Sequence, residues 1–412
     1  MTLLFVLLVI LGPAAGVASG LYTGGWRRVL VRVAWRAMAR KVGAANRKDR
    51  IATKKKGPGE KVSMTQAVEH LPILWGAFGR PIGPYTDRVG ARWRIWAADG
   101  TTIAQLQTKA VELAATAWCV RCIVEPKLLR NGATSLRSGS LTLLWNDPFR
   151  QTRPWYPAQH GRIIPATDVQ GRPVDVPIMS PWGGSWLIGA ASGSGKSGWM
   201  NAIVAQLAQQ QPGTFGLLGV DLKRVELGPW APAFHDVART PEDANRALRF
   251  VRDFIYRRMA DLEAAGLRHV PDEPTEQWPY LGFIIEELGA WLVGLRGNAA
   301  DETKAMLGEV AMLQRAAGVV TVAAIQRPTT DTVPGQFRDN TPRRVLLRVP
   351  TIKNGEAVLG WTPTQDAIDQ LDIPGLALVD LPGRAPFLAR ATWGELADVA
   401  TITHAHTKEY AS

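Results

Sequence analysis

The sequence predicts an α/β fold: a central, mostly parallel sheet with crossover helices, preceded by a small α+β domain and an N-terminal transmembrane helix. Three observations carry this expectation. The apolar run Trp186-Leu187-Ile188 leads into a glycine-rich turn ending Gly195-Lys196-Ser197, and a helical pattern follows over 200–208. That is the strand, loop, helix order of a phosphate-cradling loop. Beyond it, apolar runs of strand length alternate with helical stretches, which implies parallel strands joined by crossover helices. One of those runs, 281–285, ends in Glu286-Glu287, and an acid at a strand end is what a phosphate-binding loop needs beside it to hold a metal ion.

The 412 residues leave room for one large or two medium domains, and 46% hydrophobic with 20% charged residues describes a globular chain that could carry a membrane segment. The net charge of +12 is local. Residues 27–56 hold twelve Lys or Arg against the single acid Asp49, and the remaining 36 basic and 35 acidic residues nearly cancel. The high isoelectric point is therefore no argument that the whole surface binds nucleic acid.

Taken in order, residues 1–26 form the expected anchor. Residues 2–26 carry no charge, and about 20 apolar residues span a bilayer. The basic residues come after the apolar run, which predicts a single pass into the cell membrane with the bulk of the chain cytoplasmic. A secretory signal peptide, with charge before its core and a small-residue site such as G-V-A-S-G, is the competing reading. Residues 27–60 are the basic juxtamembrane segment and linker. Arg28, Arg32, Arg36 and Arg40 recur every four residues beside an apolar stripe, suited to an anionic leaflet.

Residues 61–160 are expected to form the small α+β domain. R-W-R-I-W-A reads as a strand, and Thr101 or Thr102 opens a helix with Ile103, Leu106, Ala110, Leu113 and Ala114 on one face. C-V-R-C-I-V-E and S-L-T-L-L-W read as further strands. A strand places Cys119 and Cys122 on opposite faces, and neither a thioredoxin-like context nor two further zinc ligands lies nearby.

Residues 161–393 are the expected motor. Two short strands flank the turn Val169-Gln170-Gly171-Arg172 ahead of the glycine-rich loop. Further strands are predicted over 215–221, 281–285, 319–325, 344–349 and 376–381, and helices over 200–209, 241–265 and 303–316. Residues 394–412 are left as a tail, too short for another domain.

The chemistry concentrates in two places. Ala191, Ser192, Gly193, Ser194, Gly195, Lys196 and Ser197 form the loop whose backbone N–H groups, with the helix behind them, cradle phosphate. Lys196 reaches the β- and γ-phosphates and the Ser197 hydroxyl coordinates magnesium. Ala190 stands where the usual pattern has glycine. Glu286 holds the metal ion in place of the more common aspartate, and Glu287 orients the attacking water. Gln326, at the end of the 319–325 strand, arrives at the carboxyl edge where ligands sit. It either senses the γ-phosphate or caps the strand.

These blocks resemble the FtsK/SpoIIIE family of ATP-driven DNA translocases, and more particularly its actinobacterial conjugative-transfer branch. The likeness is carried by A-S-G-S-G-K-S, D-L-K-R-V-E-L at 221–227, F-I-I-E-E-L at 283–288 and R-A-A-G-V-V-T-V-A-A-I-Q-R-P-T-T-D-T-V-P-G at 315–335. The resemblance implies a RecA-like P-loop NTPase using ATP and Mg2+, assembled as a ring, usually a hexamer, around double-stranded DNA. It implies Lys196 and Ser197 as nucleotide and magnesium ligands, Glu286 as the metal-holding acid, Glu287 as catalytic base and Gln326 as sensor. Asp221, Lys223 and Glu226 match a family motif taken as structural or DNA-facing. Arg344 matches a strand arginine, and the arginine finger stays open among Arg315, Arg338, Arg343 and Arg344.

The leading expectation is a membrane-anchored ATPase that moves plasmid or mobile-element DNA between cells, tracking the duplex by charge without strong sequence preference. No winged helix follows the motor in this sequence, so the expectation is either non-specific loading or a partner protein that supplies DNA targeting. Septal chromosome segregation, protein secretion and a weakly hydrolysing membrane tether are the alternatives.

Overall fold

The computed structural model describes residues 146–411, apart from 296, 297 and 330, and short stretches between residues 74 and 144. The expected anchor and basic segment, residues 1–60, lie outside the described residues. Among those described, no helix is long and apolar enough to cross a membrane. The chain divides into two compact units, Met1–Pro148 and Phe149–Ser412.

In the first unit β1 (Leu74–Trp75) pairs with β2 (Pro81–Ile82). A separate antiparallel sheet is built from β3 (Tyr85–Thr86), β4 (Gly90–Trp96), β5 (Arg121–Leu128) and β6 (Thr134–Leu144), in the order β3-β4-β6-β5. Helix α1 (Ile103–Gln107) packs on β5 and β6, with Ile103 and Leu106 buried as the spacing predicts. Cys122 lies buried in β5 and Cys119 sits just before that strand. Burial, helped by the neighbouring Cys119, pushes the Cys122 thiol far up, which keeps it protonated and unreactive.

In the second unit β7 (Arg162–Ile163), β8 (Ala166–Asp168) and β9 (Val176–Pro177) precede β10 (Trp186–Ala190) and helix α2 (Lys196–Ala208). Then come β11 (Phe215–Val220), β12 (Asp236–Ala238), α3 (Pro241–Ala264), β13 (Tyr280–Ile285), α4 (Leu288–Gly294), α5 (Ala299–Leu313) and β14 (Val319–Gln326). The unit ends with α6 (Gly335–Asp339), β15 (Arg343–Leu346), α7 (Ile352–Leu359), α8 (Gln365–Asp369), β16 (Leu376–Asp380), β17 (Phe387–Ala391) and α9 (Leu396–Ala411).

One sheet organises these elements, in the order β12-β11-β13-β14-β10-β15-β16-β17-β8. The strands from β12 to β15 are parallel, whereas β16, β17 and β8 run antiparallel along one edge. The sheet is therefore mixed. A hairpin turn with Gly383 at φ 74° joins β16 to β17, and a two-stranded return needs no crossover helix. The parallel core strands β10 and β13 are buried along their whole length, which is why they read as unbroken apolar runs.

Helix α2 is buried on nearly every side, so its sequence shows no polar stripe. It starts at Lys196, earlier than the 200–208 pattern suggests, because Gly195 caps it in the left-handed conformation. Helix α3 is amphipathic, with Ala244, Leu248, Val251, Ile255 and Leu262 inward and the Thr240 hydroxyl accepting the Asp243 N–H at 3.1 Å. The second unit begins ahead of Gly161. Gln206 donates to the Tyr156 carbonyl at 2.6 Å, and Gln210 accepts the Gly161 N–H at 2.9 Å. At the other end α9 packs on α2 and buries Val399 in the core.

Gly189 sets a tight limit on this core. A Cβ there would meet the Val358 Cγ2 atom of α7 at 2.1 Å, an overlap no close-packed interior absorbs without movement. Gly189→Ala is expected to lower stability by about 1–3 kcal/mol in chemical denaturation. Adding Val358→Ala should make the double variant less destabilised than the sum of the two single changes.

Candidate nucleotide site

The carboxyl edge of the parallel strands gathers the chemistry. Ala190 ends β10 level with Gln326 of β14, and Ile285 of β13 lies level with Ala323. Ala190 is still in the strand, fully buried, with its carbonyl accepting the Arg327 N–H at 3.1 Å. Glycine's freedom is not needed until the chain turns, which explains how alanine fits there.

The turn is held from both sides. The Ala191 N–H donates to the Arg348 carbonyl at 2.8 Å, the Ser194 hydroxyl donates to the Ala191 carbonyl at 2.6 Å, and the Gly375 N–H donates to the Ser194 carbonyl at 2.8 Å. Gly193 and Gly195 take φ of 71° and 96°. Nothing lies within 4 Å of a Cβ built on Gly193, while one on Gly195 would meet the Gly375 nitrogen at 2.1 Å. Ser192 and Gly193 are exposed just ahead of the N-terminus of α2, the end of a helix that receives an anion.

Lys196 is buried within it. Its ammonium donates to the Glu286 Oε1 at 2.5 Å and to the Glu286 carbonyl at 2.7 Å, and lies 3.7 Å from Glu287 Oε2. Glu287 is oriented by the Gln326 backbone N–H, which reaches its two oxygens at 2.9 and 3.1 Å. Burial drives the Glu287 carboxyl above the ordinary carboxylate range, and the Gln326 N–H, Lys196 and Lys223 only partly offset this. Glu286 Oε2 is buried with no hydrogen-bond partner.

This donor set fits magnesium with a nucleoside triphosphate. The open glycine loop and Lys196 suit phosphate, and a hydroxyl on Ser197 with an unpartnered buried carboxylate oxygen suits a hard cation.

Two residues at this edge were not assigned to it by sequence. Lys223 approaches Glu286 and Glu287 at 3.7 Å each, and Glu226 accepts the Ser197 hydroxyl at 2.6 Å. The D-L-K-R-V-E-L block thus faces the nucleotide site. The available signal was that β11 is an apolar run ending in a charged cluster, as β13 does. Two of the four arginine-finger candidates are structural. Arg343 is buried over the Trp186 ring at 5.2 Å and donates to the Pro177 carbonyl at 2.6 Å, and burial holds its pKa down to about 9. Arg344 donates to the Thr341, Leu359 and Arg338 carbonyls. Arg315 is exposed, and Arg338 pairs with Asp339 at 2.9 Å.

Residues 166–288 match the FtsK/SpoIIIE family. Among curated proteins, the chain is 28% identical over 225 residues to DNA translocase FtsK of Tropheryma whipplei, covering 50% of this chain and 29% of that protein. It is 31% identical over 205 residues to DNA translocase SftA of Bacillus subtilis, covering 47% and 21%. The chain thus spans less than a third of those relatives. Among solved structures, the pCW3 conjugation coupling protein TcpA with ATPgS is similar over 92% of this chain and 99% of that chain, with a TM-score of 0.57 at 18% identity. EssC (ATPases 2 and 3) from Geobacillus thermodenitrificans is similar over 63% and 52%, with a TM-score of 0.51 at 16% identity. At these identities the structural likenesses speak to the fold.

Glu287 generates a test of the site's electrostatics. With its pKa raised by folding, the folded chain keeps a proton that the unfolded chain has released. Stability therefore falls as pH rises from the unfolded glutamate value, about 4.3, through the folded one. Glu287→Gln removes that dependence. In urea denaturation without nucleotide, the variant should be more stable than the parent at about pH 7, with the difference shrinking toward pH 4.

Proposed function

We propose that this chain, which carries an FtsK/SpoIIIE-family P-loop ATPase domain, is a motor that couples ATP hydrolysis to movement along double-stranded DNA. The observation that carries the reading is the Lys196, Glu286, Glu287 and Gln326 constellation at one sheet edge, within a segment whose curated relatives are DNA translocases. Those relatives favour the septal or chromosomal class of translocase over the transfer of plasmid or mobile-element DNA between cells. The fold likeness to TcpA is a likeness of fold alone.

In this reading Lys196 exchanges Glu286 for the β- and γ-phosphates, and the Gly193 to Gly195 backbone holds the same anion. Ser197 and Glu286 would hold a magnesium ion, which would supply Lewis-acid polarisation of the γ-phosphoryl group. Glu287 orients the attacking water and takes its proton at the carboxylate that the Gln326 N–H fixes in place. Burial raises the basicity of that carboxylate, which suits proton removal. The motor works as a homo-oligomeric ring, proposed as a hexamer, in which duplex DNA is gripped through its phosphates without strong sequence preference. Residues 2–26 and the basic segment after them hold it to the cytoplasmic face of the cell membrane, and a partner protein directs it to its DNA.

ATP hydrolysis by the chain in detergent, with and without long linear duplexes of unrelated sequence, tests this. Stimulation by every duplex, falling as salt rises, is expected, and Lys196→Ala should lower turnover by about 100-fold or more. ATP turnover indifferent to DNA under conditions that allow ring assembly would remove the DNA-motor reading and leave a protein-secretion ATPase or a tether.

A further inference from the structure

The loop 221–227 carries charge into the nucleotide site, and the mechanism above gives it no role. Its shape is fixed. Asp221 is fully buried and its Oδ2 accepts the Leu227 N–H at 2.9 Å, Leu227 is buried in the core, and Arg224 holds a positive φ of 60°. A non-glycine residue in that state is strained and persists only where its surroundings impose it. The turn delivers Glu226 to Ser197 and Lys223 to the two strand-end acids.

A serine hydroxyl has one proton and two lone pairs. With its proton committed to Glu226 Oε1 at 2.6 Å, the Ser197 oxygen has its rotor fixed and its lone pairs left over for a cation. A second, separate observation also points to a cation: the buried Glu286 Oε2 has no partner. The charges agree. Glu226 and Glu286 already match Lys196 and Lys223 charge for charge, before Glu287 is counted or any phosphate arrives. A bare triphosphate adds repulsion that a divalent cation relieves.

We propose that Glu226 is a metal-positioning residue of the nucleotide site: it orients the Ser197 hydroxyl and supplies the negative charge that makes the site take a nucleoside triphosphate as its magnesium complex. The proposal rests on the nucleotide-site reading above. It assigns the D-L-K-R-V-E-L loop to metal selectivity, not to DNA.

The test is binding of a fluorescent ATPγS analogue to the full chain in detergent, once with magnesium and once with EDTA, the ratio of the two affinities being the magnesium gain. Glu226→Gln keeps the volume and removes the charge. Its magnesium gain should fall by about tenfold or more, the usual cost of losing an outer-shell partner, while its affinity in EDTA stays equal or tightens. An unchanged gain, or tighter binding with magnesium because Glu226 had been competing for Ser197, overturns the proposal. Thermal melting without nucleotide reports whether each variant folds. Should Glu226→Gln fail to fold, Glu226→Asp decides, a reduced gain supporting the role and an unchanged one overturning it. A parent chain that binds no nucleotide in either condition defeats the nucleotide-site reading and this proposal together, whereas an unaffected variant beside a binding parent defeats this proposal alone.

Discussion

Two adjacent carboxylates, Glu286 and Glu287, sit buried at the end of a core strand, and the second unit is arranged around what they require. An ionised carboxylate removed from water costs several kcal/mol unless a cation and hydrogen bonds compensate it. Lys196 supplies the closest charge, Lys223 a more exposed one, and the Gln326 N–H a directed donor. All three come from different strands or their loops, so the compensation exists only if the sheet order is right. A buried pair of this kind is weak evidence of stability and better evidence of a site whose charges are meant to be exchanged.

The sheet makes that possible by putting β10 beside β14 with level ends, and β13 on the other side of β14, where the chain past Ile285 carries the two acids on toward the same edge. The glycine loop, the acids and Gln326 then share one edge without long side chains having to reach. The antiparallel strands β16 and β17 lie to the far side of β15, and the turn before β16 places Gly375 against Ser194, bracing the loop from outside the parallel core. Rigidity of the loop and burial of the acids therefore have separate structural sources.

Most of the parallel core was legible because strands buried on both faces leave long apolar runs, as at 281–285 and 319–325. Direction was not legible. The period of a strand says nothing about which way its neighbour runs, so 376–381 was found as a strand while the antiparallel edge was missed. β12 is three residues long, and β17 carries Arg390 within F-L-A-R-A, both too weak a signal to stand out. Helix α7 carries Asn354-Gly355 in its first turn, a weak helical signal, and the Thr351 side chain caps it by accepting the Asn354 N–H. The glycine loop and the strand ends carrying Glu286, Glu287 and Gln326 were placed at one sheet edge from sequence. Lys223 and Glu226 were not: the apolar run of β11 ending in charge was the one local signal, and their approach to Glu286 and Ser197 depends on β11 pairing with β13, which is a tertiary fact.

Lys196 and Glu286 compensate each other's buried charge at the strand ends. A double-mutant cycle with Lys196→Met and Glu286→Gln, read by denaturation without nucleotide, measures it most directly. Each single change should cost about 3 kcal/mol or more, and the pair together much less than the sum, a coupling of about 2 kcal/mol or greater. Additive single effects, with coupling near zero, would contradict it and place the lysine and the glutamate in the site independently of one another.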